Sequence, residues 1–240
     1  MLFGYDDKDM LSFMCDDFVK QVYDTYFFSE PKMNDGLILH KGNAINISDV
    51  AGVFLTIEKK SQKFEGRRPG PVGSYNTAYV ELYIFAIVLL VNEAEYYISS
   101  IFKKFPYKYC CGENNKESKI SALPIEGRKI ARFYFDEIIP LMTERTIKRI
   151  LDSEYVNIAG IHFSERGVEL ETGLLMLKKR HKISYRDIRL EYAKSALYPR
   201  IFGNYKLIHV IDNKTLKTVH DEKPNYGLVP GIIQTMKSNY

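Results

Sequence analysis

The sequence predicts a mixed α+β protein made of two similar modules, one in each half of its 240 residues. Each half begins with apolar residues at helical spacing and continues with apolar residues that alternate as in strands. The pattern Phe-x-x-acid-acid-apolar-apolar at residues 13–19 recurs at residues 133–139, an offset of 120 residues. The alternative is a single mixed α+β domain whose helices look alike because amphipathic helices share one pattern.

The composition is that of an ordinary globular chain, with 45% apolar and 27% charged residues. A net charge of +4 falls short of the strongly basic character of a nucleic-acid-binding domain. The longest apolar run, residues 79–91, has 13 residues, whereas a membrane-spanning helix needs about 20. Residues 1–9 lack the basic and apolar regions of a signal peptide. We therefore expect a soluble, cytoplasmic protein without a transmembrane segment.

In the first half, a helical stripe is followed by predicted strands and a closing helix. The stripe consists of Leu11, Met14, Phe18, Val22 and Tyr26. Strands are predicted over residues 37–40, 45–50 and 78–91. Acidic residues favour a helix N-terminus, so residues 92–95 are expected to begin a helix that reaches residue 104.

In the second half, a helix is predicted from Ile130 to Ile150, with a kink or restart at Pro140. Strands follow over residues 161–163, 183–188, 206–211 and 216–220, with an extra hairpin between residues 168 and 182. A short helix closes the chain after residue 226. The predicted modules are therefore residues 1–110 and 125–240, joined by a polar linker over residues 111–124.

The second half resembles bacterial pleckstrin-homology-like (PH-like) modules over residues 157–240, and residues 34–104 match less well. The resemblance lies in a strand, a turn, a basic hairpin and then the run Ile183-Ser184-Tyr185-Arg186-Asp187-Ile188. It implies a bent antiparallel sheet closed by a C-terminal helix. It also implies binding to proteins, peptides or lipid head groups, with catalysis rare.

Asp49, Glu58 and Lys60 are the candidate catalytic residues. The order Asp, then Glu-x-Lys on a strand, resembles the core of restriction-endonuclease-like nucleases. The resemblance implies that the two carboxylates hold Mg²⁺ and that the Lys helps to activate water. The alternative is a strand end with solvated charges, because an uninterrupted strand would hold these carboxylates roughly 30 Å apart.

Two basic segments are candidate binding sites. The first contains Lys178, Lys179, Arg180 and Lys182, which either bind phosphate or form a solvated hairpin that protects a sheet edge. The second contains Arg67 and Arg68 in a loop rich in Gly and Pro, which is either structural or binds a partner. Neither a metal site nor a cofactor is predicted.

The sequence leaves three candidate functions, and we favour the first. It is a non-catalytic protein-binding role, of the adaptor or immunity type, through charged loops and sheet surfaces rich in the chain's 18 Tyr. The second is peripheral binding of phosphate, a lipid head group or nucleic acid through the basic hairpin. The third is a Mg²⁺-dependent nuclease.

Overall fold

The computed structural model describes residues 7–67, 75–102, 124–172, 179–194, 203–220 and 223–239. These residues form three helices and four open antiparallel sheets, so the predicted mixed α+β class is confirmed. No helix within these ranges is both long and apolar enough to cross a membrane.

The described residues of the first half form one helix and two three-stranded antiparallel sheets, ordered β1-β2-β3 and β4-β5-β6. Its elements are α1 (Asp7–Tyr26), β1 (Lys32–Asn34), β2 (Leu37–His40), β3 (Asn43–Asn46), β4 (Val50–Arg67), β5 (Tyr75–Val91) and β6 (Ala94–Phe102). The helical stripe of residues 11–26 and the strand at residues 37–40 are as predicted.

The helix predicted over residues 92–104 is wrong, because residues 92–102 form a hairpin turn and β6, while residues 103 and 104 lie outside the described residues. Asn92 and Glu93 have φ angles of 49° and 65°, so both lie in the left-handed region. A two-residue turn with this geometry matches the twist of antiparallel strands. Of the acidic residues that suggested a helix N-terminus, Glu93 therefore lies in the turn and Glu95 lies in β6, which pairs with β5 from Val91↔Ala94 to Tyr83↔Phe102.

The strands predicted over residues 45–50 and 183–188 are each interrupted by a 3₁₀ turn. The turns are Ile47–Asp49 and Tyr185–Asp187. The Asn46 side chain accepts a hydrogen bond from the Ser48 amide, and the Ser184 side chain accepts one from the Arg186 amide. Such local bonds compete with strand pairing, which explains why alternation alone predicted continuous strands.

The second half contains a long helix, seven strands and a closing helix. The long helix, α2, runs over residues 125–151 in three pieces: Ile125–Arg132 (α), Phe133–Ile138 (π) and Ile139–Leu151 (α). The strands are β7 (Val156–Ile158), β8 (Ile161–Ser164), β9 (Gly167–Thr172), β10 (Lys179–Ile183), β11 (Ile188–Lys194), β12 (Gly203–His209) and β13 (Thr215–Val219). The sheets are ordered β10-β9-β8-β7 and β11-β12-β13, and α3 (Val229–Ser238) closes the chain.

The predicted disturbance at Pro140 takes the form of the π-helical piece of α2. Proline lacks an amide hydrogen, and its ring crowds the carbonyl four residues earlier. A wider turn relieves this crowding, and the Ile139 amide accordingly bonds to the Tyr134 carbonyl five residues before it. Helix α2 therefore continues past Pro140.

The sheet β4-β5-β6 is covered by helices on both faces. Leu82, Ile84 and Ala86 form a small core with Val22 of α1. Phe85 and its neighbours on the opposite face belong to the main core, which also contains Tyr134 of α2. Because that core continues into β7–β13 and α3, residues from both halves share it.

Two polar side chains also connect the halves. Asn225, at a φ of 64°, accepts a hydrogen bond from the Val53 amide at 3.0 Å through its side-chain oxygen and donates to the Ala51 carbonyl at 3.0 Å. Arg145 of α2 donates to the Ile47 carbonyl at 2.9 Å. The boundaries at residues 110 and 125 stay a prediction, and residues 111–123 of the expected linker lie outside the described residues.

A close contact between α2 and α3 provides a test of this packing. A Cβ atom added at Gly231 of α3 would lie 2.8 Å from Cγ2 of Thr143. We expect Gly231→Ala to lower the free energy of unfolding by about 1–3 kcal/mol, because the core has no room for the methyl group. In a Thr143→Ala background, Gly231→Ala should lower the free energy of unfolding by much less, because the Thr143 methyl group is absent. Denaturant unfolding of the four proteins measures this coupling, and an equal cost in both backgrounds would contradict the contact.

His40 is a buried histidine that couples folding to pH. It is 3% exposed, and its Nδ1 lies 2.8 Å from the hydroxyl oxygen of Tyr96. Burial, reinforced by the charge of Lys41 and opposed by a hydrogen bond with the Ser29 backbone, lowers the pKa of His40 to about 4. An unfolded chain, in which the pKa of histidine is near 6.5, therefore binds a proton first as the pH falls.

The stability of the wild type should accordingly fall between pH 6.5 and pH 4 by about 2–3 kcal/mol from His40 alone. A His40→Gln variant has no group to titrate there, so its unfolding free energy should change less over the same range. Denaturant unfolding of both proteins at pH 7 and pH 4.5 gives the comparison, in which carboxylates common to both cancel. Equal pH dependence in the two proteins would show that His40 is not held neutral by the fold.

Candidate interaction surface

The hairpin between β12 and β13 presents two aliphatic side chains to solvent. Ile211 is 78% exposed, more than any other large apolar side chain in the described part of the chain, and Val210 is 52% exposed. We call this pair the hairpin tip. Isolated exposed apolar residues are common, but two adjacent ones on an ordered turn resemble the anchors of an interface.

The turn that carries the hairpin tip is closed by local hydrogen bonds. The His209 amide donates to the Lys214 carbonyl at 2.9 Å. The Asp212 carboxylate accepts from the Lys214 amide at 3.1 Å and lies 2.9 Å from Nδ1 of His209. The bond from the Lys214 amide, followed by that from His209, lowers the pKa of Asp212. Asp212 is therefore the residue that organises the turn.

Two further bonds fix the turn to the start of β11. The Val210 amide donates to the Asp187 carbonyl at 2.9 Å. Arg189 donates to the Asn213 side chain at 2.7 Å and forms an ion pair with Glu191 at 2.8 Å. Because the backbone is held on both sides, little conformational entropy remains for the tip to lose when it binds.

A pocket of about 410 Å³ lies beside the hairpin tip, between β10 and the β12–β13 hairpin. Its apolar lining consists of Leu170, Ile183 and Leu216. Its polar lining consists of His181, Lys182, His209, Asp212, Lys214 and Thr215. His209 and Asp212, which line the pocket, directly precede and follow the tip in sequence, so the pocket lies next to the turn that carries the tip.

The predicted basic hairpin contributes one strand to this surface. Lys178 lies outside the described residues, and Lys179 is the first residue of β10. Arg180 is 3.3 Å from Glu171, and Lys182 is 2.9 Å from Glu169, each directly across the β9–β10 ladder. These ion pairs balance the cations of β10 with anions of β9, as expected for a strand that protects a sheet edge.

The other predicted binding residues are described only in part. Arg67 is the last residue of β4, and Arg68 lies outside the described residues. Their loop therefore stays a prediction.

The structure does not bring the nuclease candidates together. Asp49 lies in the 3₁₀ turn before β4, whereas Glu58 and Lys60 lie within that strand. The nine residue steps from Asp49 to Glu58, at about 3.3 Å each, put these two residues roughly 30 Å apart. One Mg²⁺ cannot bridge that separation, and the described residues contain no group of three metal-ligating side chains that could hold an ion.

Glu58 and Lys60 have a structural environment at the end of α1. Lys60 forms an ion pair with Glu58 at 3.0 Å and lies 5.7 Å from the ring of Tyr26, the last residue of α1. Tyr97 donates to Glu95 at 2.6 Å and packs edge-on against Tyr26. These contacts hold the C-terminal end of α1 against the sheet.

Several tyrosines that suggested a binding surface belong to the core instead. Tyr134, Tyr185 and Tyr226 are buried. Tyr155 is 64% exposed and lies 4.8 Å from the ring of His162 on the outer face of the sheet β7–β10.

Sequence reasoning missed the hairpin tip because it extended the strand to Ile211. One signal could have revealed it. Consecutive side chains of a strand point to opposite faces, so Val210 and Ile211 cannot both face a core. Directly before the turn residues Asp212 and Asn213, one of them had to be exposed.

No protein-family model, curated protein or solved structure matches the chain. The function is therefore inferred from the geometry: an α+β protein with an ordered apolar hairpin tip beside a polar pocket.

Proposed function

We propose that this chain is a non-catalytic interaction protein, of the adaptor or immunity type, that binds another protein through the hairpin tip. The carrying observation is the exposure of Val210 and Ile211 on a turn that is closed and anchored by hydrogen bonds. An ordered, exposed apolar pair can bury apolar area against a partner at low entropic cost.

The order of elements in the second half supports a PH-like module as the scaffold for this site. A four-stranded antiparallel sheet is followed by a three-stranded one and a closing helix, α3. We propose a related arrangement for the first half, with α2 as its closing helix, because α2 packs against β5 and β6. This differs from the predicted modules, in which residues 92–104 closed the first half.

The charges around the hairpin tip favour a protein over an anionic lipid surface or nucleic acid. Arg189 is balanced by Glu191, and Lys182 by Glu169. Asp212 places an anion directly beside the tip. Lys214 is the cation here without an ion-pair partner among the described residues, so a polyanion gains less than on a basic patch, whereas both signs can be matched by a protein.

The proposal predicts that photo-crosslinking from position 211 captures a protein. A photoreactive phenylalanine analogue replaces Ile211 in the full chain, which is irradiated in native lysate. A discrete crosslinked polypeptide is expected, because a docked tip is buried in its partner.

The matched control carries the same analogue at Tyr155, an exposed aromatic position directly before β7, in a different sheet from the hairpin tip. The same band from both positions, or no protein band from position 211, contradicts docking through the tip. A crosslinked band from position 155 alone would contradict docking through the tip and would place the interface on the sheet β7–β10.

A further inference from the structure

We propose that the pocket beside the hairpin tip binds a carboxylate, namely the side chain of an Asp or Glu in the partner protein. The assignment of that carboxylate to a protein rests on the proposed function. The carboxylate chemistry of the pocket rests on its own lining.

Hydrogen-bond donors line the pocket from two elements. His181 and Lys182 belong to β10, and His209, Lys214 and Thr215 belong to the end of β12 and the β12–β13 hairpin. Imidazole, ammonium and hydroxyl groups all donate to carboxylate oxygens. Donors from two sides can reach both oxygens of one carboxylate, and such charge-assisted bonds are stronger than neutral ones.

The single acidic residue of the lining is already engaged. Oδ1 of Asp212 accepts from the Lys214 amide and lies against Nδ1 of His209. Asp212 therefore serves to shape the turn. Among the described residues, the side chains of His181, Lys214 and Thr215 have no hydrogen-bond or ion-pair partner and are left to a ligand.

Of the described lining residues, Lys182 and Lys214 are cations and Asp212 is an anion. Lys182 shares its charge with Glu169 at 2.9 Å. The Lys214 ammonium has no ion-pair partner within the described ranges, and it is the cation left to a ligand. A phosphate dianion favours several cations or the planar fork of an Arg, and no Arg is among the described residues that line this pocket.

The apolar lining fits the rest of an acidic side chain. Leu170, Ile183 and Leu216 offer contact to the methylene groups that carry a carboxylate. Together with the hairpin tip, the pocket fits a partner surface in which an apolar cavity lies next to an Asp or Glu.

Titration of the full ¹⁵N-labelled chain tests this inference with defined probes. The first probe is a tetraglutamate peptide capped at both ends. A capped tetralysine peptide and inorganic phosphate serve as comparisons at the same ionic strength. Saturable amide shifts at His181, Lys214 and Thr215 are expected with tetraglutamate only.

Variants that remove the same charge at different positions distinguish binding in the pocket from general electrostatic attraction. Lys214→Gln should weaken tetraglutamate binding by about fivefold, the loss of one exposed charge-assisted hydrogen bond. Lys148→Gln removes the same charge from an exposed position of α2 and should leave the affinity unchanged. Thr215→Val, which removes a donor without a charge, should weaken binding by a smaller factor.

Three results would overturn the assignment. They are an absence of saturable shifts, equal shifts with tetralysine, and tighter binding of phosphate than of tetraglutamate, the last of which would indicate a phosphate ligand. The titration does not depend on Ile211. A pocket that binds tetraglutamate in a chain whose position 211 captures no protein would therefore refute the proposed function alone.

Discussion

The burial of α2 on two sides is the constraint on which the rest of the structure depends. Its Tyr134 and Ile138 belong to the same core as Phe85 of the first half and Ile232 of α3. A helix with apolar residues on more than one face is stable only when each face is covered. The π-helical piece lets α2 remain continuous past Pro140 and so reach both halves.

This constraint extends to the hairpin tip through a chain of contacts. Helix α3 packs on α2 where Gly231 meets Thr143. Lys237 of α3 donates to the Ile188 carbonyl at 3.2 Å, at the start of β11. The neighbouring Asp187 carbonyl accepts from the Val210 amide. The position of the tip is thus set by core packing rather than by the turn alone, and a rigid scaffold of this kind favours tight recognition.

Periodicity predicted those elements in which local pattern and burial agree. The stripe of α1 and the strand β2 follow from the spacing of apolar residues, and the start of α3 follows from Pro230 near a helix N-terminus. The turn at Asn92 and Glu93 was not predicted from the sequence. Acidic residues also favour a helix N-terminus, and the positive φ angles that make these two residues a hairpin turn are known only from the structure. The 3₁₀ turn before β4 depends on one bond from the Ser48 amide to Asn46, which alternation does not encode.

The candidate site was predictable only in part, because its contacts join residues that are distant in the sequence. The basic strand β10 was found because cations are conspicuous in a sequence, but their partners Glu169 and Glu171 lie across a ladder whose register comes from the fold. The nuclease hypothesis required a turn that brings Asp49 close to Glu58. Strand β4 runs from Val50 to Arg67, so there is no such turn between them. The hairpin tip depends on contacts with residues 187 and 189, which tertiary structure brings close.

The central claim is that the fold presents the hairpin tip in one fixed conformation. Backbone ¹⁵N relaxation of residues 209–214 measures this directly. The account predicts order parameters of about 0.85 at these amides, as in rigid backbone, because hydrogen bonds hold the turn on both sides. Values below about 0.6, as in a flexible loop, would contradict it, since a mobile tip is not a preformed anchor.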